Sequence, residues 1–213
     1  MTEQHDFDRD YWERHWQQAQ HGHSRASGAG RPHRYLAGET AGLTPGTALD
    51  AGCGTGAEAV WLAGHGWQVT AVDIASAALA VAAERATAGG VSERVRWVEA
   101  DLTTWDPGTR FDLVTTHYAH PAMPQLAFYD RISTWVSPGG TLLIVGHLHA
   151  PGATGHGHHP PAEASVTLAA ITAVLDSATW EITTSEEHHR TVTGPAGQEN
   201  TLHDVVVRAT RRR

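Results

Sequence analysis

The sequence predicts an α/β fold: a single doubly wound, Rossmann-like domain with a mostly parallel seven-stranded sheet, helices on both faces, an N-terminal helical cap and an antiparallel C-terminal hairpin. Three observations predict it. From residue 47 onward, short apolar runs alternate with helical ones, the pattern of right-handed strand–helix–strand crossovers. A glycine-rich turn, "DAGCGTG" at residues 50–56, joins the first apolar run to the first helix of that series. The last two strand-like runs follow one another with only a turn between them.

The elements fall in order along the chain. Residues 6–20, "DFDRDYWERHWQQAQ", bring Tyr11, Trp12 and Trp16 onto or near one helical face. The Gly-, Ser- and Pro-rich stretch after it is a loop, and a short helix follows around Arg34–Ala41. "TALDAG", "QVTAVD", "VRWVEAD", "FDLVTTH" and "TLLIVGH" read as five strands. "AEAVWLAGHG", "SAALAVAAERATAGG" and "PQLAFYDRISTWV" read as helices, with Ser76 as the N-cap of the second. "SPGG" is a turn leading into the fifth strand, "AEASVTLAAITAVLDSA" a further helix, and "EITTSEEHHRTV" and "TLHDVVVRAT" the closing hairpin around "TGPAGQEN". The expected organisation is a cap over 1–44, a cofactor-binding core over 45–147 and a substrate-side part over 148–213.

Bulk properties narrow the function. The chain has 213 residues, enough for one well-cored domain, and 40% of them are hydrophobic and 18% charged. Its net charge of −8 disfavours a general nucleic-acid surface, leaving Arg211–Arg213 as a solvated tail. Cys53 is the one cysteine, so no internal disulfide forms, which suits a reducing cytoplasm. Neither a signal peptide nor a membrane span is expected. The expected partner is a small molecule, and the expected assembly a monomer or homodimer.

Gly52, Gly54 and Gly56 let the backbone turn tightly against a ligand, and the helix after them presents free N–H groups. Gly52-x-Gly54-x-x-Ala57 also satisfies a loose dinucleotide fingerprint, and Asp73, ending the second strand, suits ribose hydroxyls in either case. Two acids separate the readings. Asp50, before the first glycine, would repel a pyrophosphate but attract a cationic amino-acid moiety. Asp101, ending the third strand, adds a third carboxylate to the same sheet edge. Three carboxylates around one crevice suit a cofactor bearing an ammonium and a sulfonium.

In this order and spacing, "DAGCGTG", "VTAVDIA", "EADL", "FDLVTTH" and "SPGGTLLIVGH" resemble the motifs of class I S-adenosylmethionine-dependent methyltransferases. The resemblance covers about residues 45–147. With "YWERHW" ahead of the core, the chain is similar to small bacterial enzymes of the tellurite-resistance and thiopurine methyltransferase type. The resemblance implies an enzyme that uses S-adenosyl-L-methionine. Gly52, Cys53, Gly54 and Gly56 would then hold the methionine part by backbone, with Asp50 nearby. Asp73 would take the ribose and Ile74 the adenine face. Asp101 and Leu102 would meet the adenine ring, and His117 would face the methionine and the methyl group. Trp12 and Trp16 would close over the cofactor as a lid, and Arg34 and Tyr35 would reach its carboxylate, which adds Trp16 and Arg34 to the cofactor site.

Methyl transfer is an in-line displacement, so the site mainly aligns the nucleophile and excludes water. A thiolate or metalloid oxyanion needs no base, whereas a phenol or amine needs a histidine or acid within reach. His117, Tyr118 and His120 leave the fourth strand at the edge where open α/β sheets bind ligands. His147 ends the fifth strand and opens "HLHAPGATGHGHHPP", which also holds His149, His156, His158 and His159. His117, His120 and His147 are thus the candidate catalytic groups, and Trp12, Tyr118, His120 and His149 the candidate acceptor contacts. No metal ligand is assigned, because the loop lacks fixed ligand spacing. The preferred acceptor is a thiol or a tellurium or selenium oxyanion. The alternatives are O- or N-methylation of a phenolic or quinone-like metabolite, a His-rich metal-binding protein on the same fold, and a nicotinamide-dependent oxidoreductase.

Overall fold

A computed structural model describes residues 6–21, 30–148, 166–193 and 199–213. Seven strands form one sheet: β1 (Thr47–Ala51), β2 (Gln68–Asp73), β3 (Val95–Glu99), β4 (Phe111–His117), β5 (Val136–Leu148), β6 (Trp180–Thr193) and β7 (Glu199–Arg211). Their order is β3-β2-β1-β4-β5-β7-β6. The first five strands run parallel, and β7 enters between β5 and β6, antiparallel to both. The strand order reverses between β1 and β4, which opens a crevice at their carboxyl ends.

Around the sheet lie α1 (Arg9–His21), α2 (Arg34–Thr40), α3 (Ala57–Gly64), α4 (Ser76–Ala88), α5 (Gln125–Ser133) and α6 (Leu168–Ala173). Successive strand residues go to opposite faces. Leu49, Val114, Leu142, Ile144, Val205 and Val207 pack with Phe128, Tyr129 and Ile132 of α5 and Ile171 of α6. Their neighbours Ala48, Leu113, Leu143, Val145 and Val206 pack on the other face with Leu36 of α2 and Ala59 and Leu62 of α3. Both faces are covered, which is why "TLLIV" and "DVVV" are apolar without alternation. Among the described residues no helix is long and apolar enough to cross a membrane.

Three local expectations change. "SPGG" is no separate turn: pairing with β4 starts at Phe111–Val136, shifts, and resumes at Leu113–Thr141, so the four residues bulge within β5. The helix expected over 162–178 is, in its described part, only Leu168–Ala173, since Asp176 takes the N–H groups of Thr179 and Trp180 into a turn. Ser76 is the first residue of α4 rather than its cap, which is Ala75 and makes no side-chain bond.

Candidate active site

The turn after β1 is tied to β2 before any ligand is considered. The N–H groups of Gly52 and Cys53 both donate to the Val72 carbonyl at 2.9 Å. Gly52 has φ +78°, and a Cβ there would lie 2.3 Å from Cβ of Ala119 in the loop after β4. Gly54 (φ +49°) faces Trp16, whose ring would be 2.9 Å from an added Cβ. Gly56, also left-handed, is pressed by Ala82 and Trp97.

Acids line this turn. Asp73 accepts from the Gly54 N–H at 2.8 Å and the Ala75 N–H at 2.9 Å, locking the end of β2 to the turn. Burial raises its pKa, and those backbone bonds partly offset the rise. Asp50 is 1% exposed, and its Oδ2 has no hydrogen-bond partner. Burial, and then the nearby Glu58 and Asp73, push its pKa well up. Asp101 lies two residues past β3 on a loop, where its Oδ1 caps the Thr103 N–H at 2.8 Å. Leu102 beside it is buried, Ile74 is half-buried, and burial pushes the Cys53 thiol far up, so that cysteine stays protonated and inert. A glycine cradle beside a buried carboxylate oxygen with no donor fits a cofactor with a cationic amino-acid part and a ribose.

α1 closes this crevice from above. Glu13 supplies the cap that Ala75 cannot: its carboxylate accepts from the Ser76 N–H at 2.9 Å and the Ala77 N–H at 3.1 Å, and from the Ser76 hydroxyl. A carboxylate there also favours the positive helix end. Arg9 pairs with Glu99 at the end of β3, and Trp12 Nε1 donates to the His120 carbonyl at 3.1 Å. The Ser76 hydroxyl, foremost, holds the Glu13 pKa down. Its contribution to docking is therefore present above the unfolded carboxylate range and lost as pH falls through the lowered folded value. Accordingly, Glu13→Ala should cost about 0.5–2 kcal/mol, as for lost N-caps. It should also make Trp12 and Trp16 more quenchable by acrylamide at pH 7; unchanged quenching would rule out a Glu13 latch.

A second polar group lies at the ends of β4 and β5, beside the paired stretch of β6 and β7. The register sets Asp204 opposite both His147 and His188, so the three side chains share one sheet face. Asp204 is fully buried and accepts from Arg190 Nε at 2.7 Å and the Tyr35 hydroxyl at 3.3 Å. Its Oδ1 has no hydrogen-bond partner, and His147 Nδ1 stands 3.7 Å from it. Burial alone would raise the Asp204 pKa; the His147 ring and the Arg190 guanidinium reverse this and bring it to about 2.

Tyr118 is one of two described non-glycine residues with positive φ, at +54°. Such strain costs about 1–3 kcal/mol and persists only where the surroundings enforce it. Here the Tyr118 ring stacks on His147 at 4.1 Å, its N–H binds the Val145 carbonyl, and its hydroxyl lies 3.0 Å from His33 Nε2. His33 is anchored by its N–H to Glu58 at 2.8 Å. Burial, then His117, lowers the His33 pKa to about 4, and burial lowers that of His117 to about 3. His33 Nδ1 and His117 Nε2 are both buried and without hydrogen-bond partners.

Residues 48–140 match a family described as a methyltransferase domain. Over those residues the chain is similar to methyltransferase domains. Among curated proteins, the domain is 34% identical over 113 residues to the ribosomal RNA small subunit methyltransferase C of Alcanivorax borkumensis, covering 50% of this chain and 34% of that one. It is also 28% identical over 110 residues to probable thiol methyltransferase 2 of Arabidopsis thaliana, 50% of this chain and 49% of that one. The chain thus spans half or less of the curated relatives it matches. Among solved structures, the N-methyltransferase NodS of Bradyrhizobium japonicum with S-adenosyl-L-homocysteine superposes with a TM-score of 0.70 at 15% identity, over 95% of this chain and 99% of that one. At that identity the likeness speaks for the fold.

In the structure, the residues singled out from sequence fall into three groups. Asp50, Gly52, Cys53, Gly54, Gly56, Asp73 and Ile74 converge on the turn, with Trp16 over it and Asp101 and Leu102 flanking it. At the end of β4 and β5, Tyr118 stacks on His147, and the His117 ring lies 6.2 Å from that of His33. His120 is 8% exposed, bonded through Nδ1 to Gln125 at 3.2 Å and packed against Phe7 beneath Trp12. Arg34 is exposed, its guanidinium over the Tyr35 ring, while His33 and Tyr35 beside it turn inward. His149, His156, His158 and His159 lie outside the described residues. Glu13, His33, Glu58, Arg190 and Asp204 went unnoticed in the sequence. Only Asp204, an acid inside the apolar run "DVVV", carried a local signal.

Proposed function

We propose that the protein transfers a methyl group from S-adenosyl-L-methionine to a small-molecule acceptor, with a thiol as the preferred class. The observation that carries this reading is the buried Asp50 carboxylate oxygen without a donor beneath the glycine turn. An ammonium group satisfies it, whereas a pyrophosphate would be repelled. Bound there, S-adenosylmethionine supplies a methyl group on a sulfonium sulfur, activated for displacement. The chain's own residues do the rest. Gly52 and Gly54 admit the methionine part, Asp73 offers its remaining lone pairs to the ribose, and α1 with Trp16 excludes water. On this reading residues 1–44 form the cap, 45–147 the cofactor core and 148–213 the acceptor side.

The acceptor side holds Asp204 and Glu58 against one cation, Arg190, so a neutral acceptor fits it better than a tellurite or selenite anion. The name of the Arabidopsis relative supports sulfur. A phenolic hydroxyl is the second reading, favoured by the aromatic walls of Tyr35, Tyr118, His147 and His188. Transfer of label from S-adenosylmethionine across thiols, tellurite, selenite and catechols tests this. Labelled thioether is the expected product, and transfer only to oxyanions would reject the preference.

A further inference from the structure

We propose that β6 is a dimerisation edge: it pairs antiparallel with β6 of a second copy of this chain, with His188 on the two-fold axis. The sheet order ends in β6, whose one strand partner among the described residues is β7. In an antiparallel ladder alternate residues turn both N–H and C=O away from the partner, so the outer edge of β6 offers a row of backbone donors and acceptors. Ser185, Glu186, Glu187, His189 and Thr191 along it are exposed. Edge strands are commonly blunted by being short or bulged. β6 runs 14 residues, and its one register shift against β7, between Ile182 and Thr184, lies near its start. Beyond that shift the pairing with β7 is regular from Thr184 to Thr193. His188 stands near the middle of that regular stretch.

Charge selects the partner. Along Glu186-Glu187-His188-His189-Arg190 the strand changes from acid to base. A parallel copy would set acid beside acid, whereas an antiparallel copy sets acid beside base. A two-fold axis between antiparallel strands stands perpendicular to the sheet, so it passes beside one residue that faces itself. With His188 there, Glu187 faces His189 twice, Glu186 faces Arg190 twice, and Ser185 faces Thr191. Moving the axis to Glu187 sets two acids face to face, and moving it to His189 sets His188 against Arg190. Opposite charges directly across a strand pair stabilise it, and like charges destabilise it. An imidazole N–H donates to the facing carboxylate whether the ring is charged or neutral. Arg190 gives Nε to Asp204 at 2.7 Å, and its guanidinium has further N–H donors for a carboxylate. Glu186, 3.0 Å from its own His188, stands two residues from the axis and on the same face. The second copy thus contributes a Glu186 to the cation that holds the buried Asp204. The His188 rings, each stacked on Tyr35 at 4.7 Å, meet at the axis.

Sedimentation equilibrium of the full-length protein should give a dimer at micromolar concentration. His189→Glu sets carboxylate against carboxylate at two of the cross-strand pairs and should weaken the dimer about 10–100-fold. Adding Glu187→His to the same chain exchanges the members of those pairs and should restore the dimer. Glu187→Arg, as an independent single change, should also weaken it. Both positions are exposed, so these changes leave the core of the chain intact. A monomeric parent protein overturns the proposal and leaves the edge to a strand of another protein. A dimer insensitive to His189→Glu, or one that the double change does not restore, lies on another surface and overturns the proposal as well. The outcome is independent of methyl transfer, since no variant touches the glycine turn.

Discussion

Gly52→Ala should destabilise the protein by about 2–5 kcal/mol and abolish detectable binding of S-adenosylhomocysteine. Two effects add. The left-handed backbone at φ +78° disfavours any L side chain by about 1–2 kcal/mol. The new Cβ would also sit 2.3 Å from Cβ of Ala119, and relieving that overlap in a packed site costs about 1–3 kcal/mol more. The two contributions are separable. Gly52→Ala with Ala119→Gly removes the overlap and leaves the backbone strain, so the double variant should recover roughly half of the lost stability. Urea unfolding of the three proteins measures this. If the double variant is no more stable than Gly52→Ala, the turn is not held against the β4 loop as described.

Asp50→Asn should act in opposite directions on stability and on binding. The carboxylate is buried with one oxygen lacking a donor, a cost that the ligand-free protein carries. Removing the charge should raise ligand-free stability by about 1 kcal/mol or more and weaken S-adenosylhomocysteine about 10–100-fold, the worth of one charge-assisted hydrogen bond. The pH dependence follows from the direction of its shift. The folded pKa is raised above the unfolded one, so Asp50 contributes most below the unfolded value and this is lost as pH rises toward the folded value. Mild acidification should therefore stabilise the parent protein relative to Asp50→Asn. Matched melting temperatures at pH 5 and pH 8 would show that Asp50 titrates alike in both states.

These two residues were readable because their meaning is local. Asp50 and Gly52 sit at fixed offsets in one turn, and an acid or glycine there has few structural uses. Strands β2 and β4 were readable to the residue because apolar runs between turn signals leave little freedom. The "SPGG" bulge was misread because proline and glycine punctuate a chain whether or not pairing resumes beyond them. What escaped was long-range. Glu13 caps a helix 63 residues away, and Arg190 meets Asp204 only because the hairpin folds back between β5 and β6. His33 gains its hydroxyl partner from Tyr118, 85 residues on. Period and motif carry no such information.

The central claim is that the β1 turn receives a sulfonium-type nucleoside and not a dinucleotide. Titration calorimetry of the full-length protein with S-adenosylhomocysteine and, separately, with NAD decides it. Saturable binding of S-adenosylhomocysteine at one site per chain, lost in Gly52→Ala, with no heat from NAD, is the predicted result. Saturable binding of NAD with none of S-adenosylhomocysteine would contradict the account.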